Sequence, residues 1–170
     1  MHDVKRTGTH RMRWMLSLIF AFLMLPALVA APAQATPSRS PKIPPVAVVW
    51  VQIEGADGTL FSGRVVTRTH DVTTESGGTR TCDGTNYDAN PTPGPTVTGA
   101  LDDAASANGF TWDGTHWAQF DDFFIETIKG ESGSSNTYWS LWVNGEYLQV
   151  GGCQYQVRTG DTILFKMDSF

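Results

Sequence analysis

Beyond residue 45 the apolar positions come in short runs broken by Gly, Asn and Asp, the spacing of strands and turns rather than of long helices. Residues 46–55, VAVVWVQIEG, read as a β-branched strand, 56–58 (ADG) as a turn, and 60–67 (LFSGRVVT) as its hairpin partner. From Thr73 to Gly99 neither period is sustained, and the Gly, Thr, Asn and Pro content predicts a long loop anchored by Cys82. The following TGALDDAASANGF predicts one short helix over 99–108. Thr98 is its expected N-cap, Asp102 and Asp103 suit the positive start, and Asn108-Gly109 suits a left-handed end. Asp113-Gly114, between aromatic flanks, signals a hairpin turn; FFIETIKG (123–130) is a further strand and ESGSSN a turn. Gly160-Asp161 marks a last turn, after which Ile163, Phe165 and Met167 alternate with Leu164 and Lys166.

The densest stretch is YWSLWVNGEYLQVGG, residues 138–152. A two-residue type I′ turn at Asn144-Gly145 would place Val143 opposite Glu146, Trp142 opposite Tyr147, Leu141 opposite Leu148, Ser140 opposite Gln149 and Trp139 opposite Val150. Cross-strand partners share a face, so the hairpin sorts into two surfaces. Trp139, Leu141, Val143, Leu148 and Val150 form a core face. Tyr138, Ser140, Trp142, Tyr147 and Gln149 form an aromatic face with polar handles, suited either to contact with something else or to a second core layer beneath the long loop. Two strands, a helix and then an antiparallel set predict an α+β domain: a β-grasp-like antiparallel sheet with one short helix packed across one face.

The ends of the chain change this picture. Lys5, Arg6, Arg11 and Arg13 precede the apolar run LSLIFAFLMLPALVA and an Ala33-Gln34-Ala35 site, the pattern of a secretory signal peptide over 1–35. The apolar run is about fifteen residues, shorter than the about twenty that span a bilayer. Cleavage is expected after Ala35, with Ala30 and Ala33 as alternatives. Residues 36–45, TPSRSPKIPP, hold four prolines and predict an extended linker, leaving 46–170 as one domain. Export and an even cysteine count favour a Cys82–Cys153 disulfide. The mature chain keeps eight of the twelve basic and sixteen of the seventeen acidic residues, a balance of −8 that argues against nucleic acid and anionic membrane surfaces as partners.

Catalytic and metal-binding patterns are weak. Asp83, Asn86, Asp88 and Asn90 resemble calcium ligands in spacing but lack the diagnostic loop, so a turn cluster is the expectation. Asp121-Asp122 with Glu126 or Glu131 would fit paired glycosidase carboxylates, although solvated strand ends explain them more simply. His70, His116 and Ser140 supply triad residue types without a nucleophile elbow. No catalytic residue, metal site or cofactor is expected.

The closing segment carries a resemblance. Tyr138-Trp139, Val143 to Tyr147, Gly151 and Gly160-Asp161 resemble the pattern of the transcobalamin-like C-terminal domain family, and TCDGTNYDANPTPGP, GFTWDG and FDDFFI resemble a secreted bacterial subgroup of it. The resemblance covers about residues 46 to 170. It implies a small α+β domain related to the β-domain of vitamin B12 carriers, in which cobalamin lies between an α/α-barrel domain and the β-domain. The sequence shows no α/α-barrel, so a corrinoid ligand would require a separate barrel-bearing partner or uptake-system component, or would be a weak surface contact. The expectation is a secreted, non-catalytic binding module with Tyr138, Trp142, Tyr147 and Gln149 as ligand-binding residues. The alternative is an extracellular structural or protein-interaction module without a small-molecule ligand.

Overall fold

A computed structural model describes residues 45–170. The expected leader, and all of the expected linker except Pro45, lie outside the described residues. In chain order the elements are β1 (Val46–Gly55), β2 (Gly58–Arg68), β3 (His70–Thr74), β4 (Gly78–Cys82), α1 (Val97–Asn108), β5 (Trp112–Trp117), β6 (Asp122–Ile128), β7 (Glu131–Ser132), β8 (Thr137–Val143), β9 (Glu146–Tyr147) and β10 (Thr162–Ser169). A single 3-10 turn at Asn86–Asp88 lies between β4 and α1.

A five-stranded sheet has the order β2-β1-β10-β8-β9; β3 and β4 form a separate hairpin, and β5, β6 and β7 a third, three-stranded sheet. The large sheet is mixed rather than antiparallel, because β1 and β10 run parallel at its centre, with Trp50 opposite Thr162 and Ile53 opposite Phe165. A parallel pair needs a long crossover, and here everything from β2 to the Gly160 turn supplies it. Among the described residues the architecture is thus mostly β, with one α-helix and one disulfide.

One face of the large sheet is dry. Val49, Val51 and Ile53 of β1 alternate inward with Ile163 and Phe165 of β10 and Trp139 and Val143 of β8, all buried. The helix lies on this side through Ala100, Leu101, Ala104 and Ala105. The small residues at i and i+4 let the helix backbone approach β2 and β3 closely. Its N-cap is Thr96, not Thr98: the Thr96 side chain accepts from the Gly99 N–H, while Thr98 is buried in the first turn. Gly109, at φ 68°, ends the helix in the expected left-handed conformation.

Moving the start back two residues puts Asp102 and Asp103 beyond the first turn, where they do different work from that expected. Asp102 accepts from the Trp112 indole N–H (3.0 Å) and from His70 Nε2 (3.1 Å), and Asp103 accepts from the Arg68 backbone N–H (3.3 Å). His70 Nδ1 donates to the Arg68 carbonyl (2.7 Å). Both neighbours of the ring are acceptors, so both ring nitrogens carry protons and His70 is an imidazolium, its pKa raised to about 9 chiefly by the Asp102 hydrogen bond.

Three turns differ from expectation. The long Thr73–Gly99 loop begins as a hairpin, β3 with β4, closed by Glu75-Ser76-Gly77. Asp113-Gly114 is not a turn: the pair sits inside β5 at a bulge, where Asp113 accepts from the Ser76 N–H and hydroxyl, and the real turn is Ala118–Asp121. Lys129 and Gly130, both at positive φ, close β6 onto β7, so the residues expected to form the ESGSSN turn begin as a strand.

Candidate functional site

The hairpin at Asn144-Gly145 forms as expected, both residues taking positive φ (52° and 84°), with Trp142 opposite Tyr147 and Val143 opposite Glu146. Pairing then stops early. The Leu148 N–H still reaches the Leu141 carbonyl (2.9 Å), but Ser140–Gln149 and Trp139–Val150 do not pair. The chain is drawn away because Cys153 is bonded to Cys82, the Thr98 N–H donates to the Gly152 carbonyl, and the Cys153 N–H donates to the Asp122 carboxylate at 2.9 and 3.1 Å. A Cβ at Gly151 would run into that carboxylate, so only glycine fits there. Val150, expected in the core, is therefore 47% exposed.

Ser140 also differs: expected on the contact face, it is buried. Its hydroxyl donates to Asp168 (2.7 Å) and accepts the Trp142 indole N–H (2.9 Å). The polar handle of Trp142 is thus spent within the sheet, and its ring meets Tyr147 edge-on at 5.4 Å. Tyr138 lies further along β8, stacked on Phe170 at 4.6 Å. Tyr147, which meets Trp142, and Gln149 also line a feature that the residue pattern alone does not assemble.

That feature is a groove of about 450 Å³ between the β5–β6 hairpin tip, the 3-10 turn and residues 147–154. Trp117, Phe120 and Phe124 form one wall: Trp117 stacks with Phe124 at 5.2 Å and with Phe120 at 6.0 Å, and all three are 40–50% exposed. Tyr87 and Tyr147 stand around it, and Asp122 lies at its base. Of the four expected ligand-binding residues, Tyr147 and Gln149 line the groove, while Tyr138 and Trp142 do not. The available clue was HWAQFDDFF, residues 116–124: once the turn is placed at 118–121, Phe123 and Ile125 point inward and Trp117, Phe120 and Phe124 outward.

The three walls are tied to one another. The Gln154 side chain donates to the Phe120 carbonyl (2.8 Å), Asn86 donates to the carbonyls of Asp121 (3.0 Å) and Thr81 (2.8 Å), and Asn90 donates to those of Gln154 (2.8 Å) and Gly84 (2.6 Å). Asp83 caps Thr85 through both its N–H and its hydroxyl. Asn86 and Asn90 thus spend their amide nitrogens on backbone carbonyls of the surrounding loops. Asp121 accepts from the Tyr87 N–H (3.3 Å) and sits 3.4 Å from His116 Nε2.

Asp122 is not a solvated strand end. It is 4% exposed, and burial raises its pKa to about 7 against the opposing pull of the backbone N–H groups of Cys153, Phe123 and Gln154. An acid whose folded pKa is raised holds its proton when the unfolded chain, ionising near 3.8, has released it. Stability is therefore expected to fall as pH rises from about 4 to 7. His70, raised from 6.5 to about 9, contributes fully below pH 6.5 and is lost as pH rises to 9. Each step is on the order of 1–2 kcal/mol after allowance for opposing amides at Asp122 and solvent screening at His70. Thermal midpoints across pH 4–9 should show both declines; Asp122→Asn should flatten the first and His70→Gln the second. A midpoint that rises over pH 5–8 would refute the assignment.

Residues 94–169 match a family described as "Domain of unknown function (DUF4430)". No curated protein matches the sequence. Among solved structures, haptocorrin in complex with Cbi is similar in fold, with a TM-score of 0.50 and 18% identity, over 76% of this chain and 26% of that chain. A Ruminococcus gnavus ATCC 29149 protein to which metal binding is ascribed aligns with a TM-score of 0.42 and 14% identity, over 73% of this chain and 98% of that one. This chain spans about a quarter of the length of haptocorrin. Residues 94–169 of this chain thus match the domain of unknown function DUF4430, and its fold is similar to that of part of haptocorrin.

Proposed function

We propose that this protein is a secreted, non-catalytic binding module that holds a small ligand in the groove between the β5–β6 tip and the 147–154 strap. The observation that carries the reading is the convergence of Trp117, Phe120, Phe124 and Tyr147, all at least 40% exposed, on one groove of about 450 Å³. Small-molecule sites lie within about 300–1,000 Å³ and are mainly apolar with a few polar groups. Tyr147 and Gln149 act from the strap, and Trp142 and Tyr138 flank it. The buried Cys82–Cys153 disulfide and the leader-like sequence at 1–35 support export. The parallel β1–β10 pair, with α1 packed against the neighbouring β2 and β1, supports a β-grasp-like reading of the fold.

Cobalamin is the first ligand to test, because the haptocorrin structure contains Cbi. This chain aligns with about a quarter of haptocorrin, and the reading includes an α/α-barrel protein or an uptake-system component as a partner that completes the site. Titration with cobalamin, alone and with such a partner, is expected to quench tryptophan emission saturably. Trp117→Leu should remove the saturable part while leaving the thermal midpoint within a few degrees. Linear, unsaturable quenching in every case would exclude the corrinoid. The protein-interaction alternative is favoured by a separate observation, the 44% exposed Trp50 and 53% exposed Val66 on the open sheet face. Under it, Trp50→Ser would abolish capture of a specific secreted partner and leave groove ligands unaffected.

A further inference from the structure

The groove is also selective in charge. Asp122 is the one ionisable carboxylate in its lining, and among the described residues neither Lys nor Arg lines it. Asp121 follows directly from the turn, Asp88 lies in the 3-10 turn beside Tyr87, and Glu146 precedes Tyr147, so the surroundings are acidic too. An anionic ligand would meet this field without a counter-charge. A hydroxyl-rich ligand would need many polar partners, and the side-chain amide N–H of Gln154 is already engaged by the Phe120 carbonyl. Trp117, Phe120, Phe124 and Tyr147 are 40–50% exposed and Tyr87 is 65% exposed, and the negative faces of aromatic rings attract cations most strongly when water is excluded.

We propose that the groove binds an organic cation, an alkylated ammonium group seated on the ring faces above the Asp122 carboxylate. The inference rests on the reading of the groove as the ligand site and specifies the chemistry it selects. The alkyl groups satisfy the apolar lining and demand no hydrogen bonds, and above pH about 7, where Asp122 is ionised, its charge balances that of the ligand in a partly dry site. Asp122 keeps its hydrogen bonds from the Phe123 and Cys153 amides, so it neutralises the ligand without leaving its own loop.

The test uses the full chain at pH 8, where Asp122 is ionised, and two probes of the same shape, choline and its neutral isostere 3,3-dimethylbutan-1-ol, followed by NMR shifts of the tryptophan indole protons. Choline should bind at least about tenfold more tightly than the isostere. Trp117→Leu, which keeps apolar volume but removes the π face, should weaken choline by about three- to tenfold and leave the isostere unchanged. Asp122→Asn, which preserves an acceptor for the amides, should likewise narrow the choline preference severalfold. Equal binding of the isostere would overturn the cation inference while leaving the groove as the binding site. Absence of saturable choline shifts up to on the order of 100 mM, where even very weak binding registers, would overturn it as well. Choline shifts that persist in Trp117→Leu would place the cation elsewhere and overturn it too, whereas failure of the groove reading itself would appear as loss of every ligand response, cobalamin included.

Discussion

Replacing Cys82 and Cys153 together by alanine is expected to destabilise the domain by about 4 kcal/mol, the chain-entropy value for a closed loop of this length. The bridge joins residues 71 apart, and both are at most 1% exposed. Alanine is the proper replacement because serine would add a buried hydroxyl in place of each sulfur. Against a total stability of about 5–15 kcal/mol, the loss is a large fraction, and the thermal midpoint should fall by on the order of 10–20 °C. The groove should suffer as well, since the bridge ties the β4–3-10 segment to the strap that carries Tyr147 and Gln149. Scanning calorimetry of the double variant, beside the wild type with and without reductant, measures the effect. A midpoint drop under about 5 °C would show that the hydrogen bonds among Asn86, Asn90, Gln154 and Asp122 hold the loops without the bridge.

Trp139→Ala and Trp142→Ala should differ sharply although the residues are three apart. Trp139 is 3% exposed, lies opposite Met167 and belongs to the dry face of the large sheet. Its truncation is expected to cost about 3–5 kcal/mol. The value should fall in the lower half of that range, because the Trp139 indole nitrogen is buried without a partner among the described residues and its removal recovers part of the loss. Trp142 stands on the opposite face, half-buried, held by Ser140 and the edge of Tyr147. Its truncation should cost about 1–2 kcal/mol, an aromatic pair and one hydrogen bond. Urea denaturation of both variants at equal slope gives the comparison. Equal losses would mean that the two faces of the hairpin are not sorted as the register requires.

Legibility followed locality. The Asn144-Gly145 turn, the Trp142–Tyr147 pair and the burial of Trp139 and Val143 could all be read from the chain, because a two-residue turn sets register by itself and register assigns faces. Gly109 was readable for the same reason, since a left-handed helix end is a one-residue property. Asp113-Gly114 misled because its side-chain chemistry suits a turn and a bulge alike. What decides between them is Ser76, 37 residues away, whose N–H and hydroxyl take the Asp113 carboxylate. That error displaced the β5–β6 tip by several residues and concealed the wall formed by Trp117, Phe120 and Phe124.

By itself, the sequence determined an α+β composition of several strands and one short helix, a disulfide between its two cysteines, and a Trp/Tyr hairpin with unlike faces. Those properties follow from periodicity, turn chemistry and the pairing of the two cysteines. Only the tertiary structure decided the mixed sheet, the burial of Asp122 and Ser140, and the groove. Each depends on groups brought together across roughly thirty or more residues, as when the Cys153 amide meets Asp122 and Gln154 meets Phe120. No local preference encodes such meetings, because they arise from the packing of residues distant in sequence around one core.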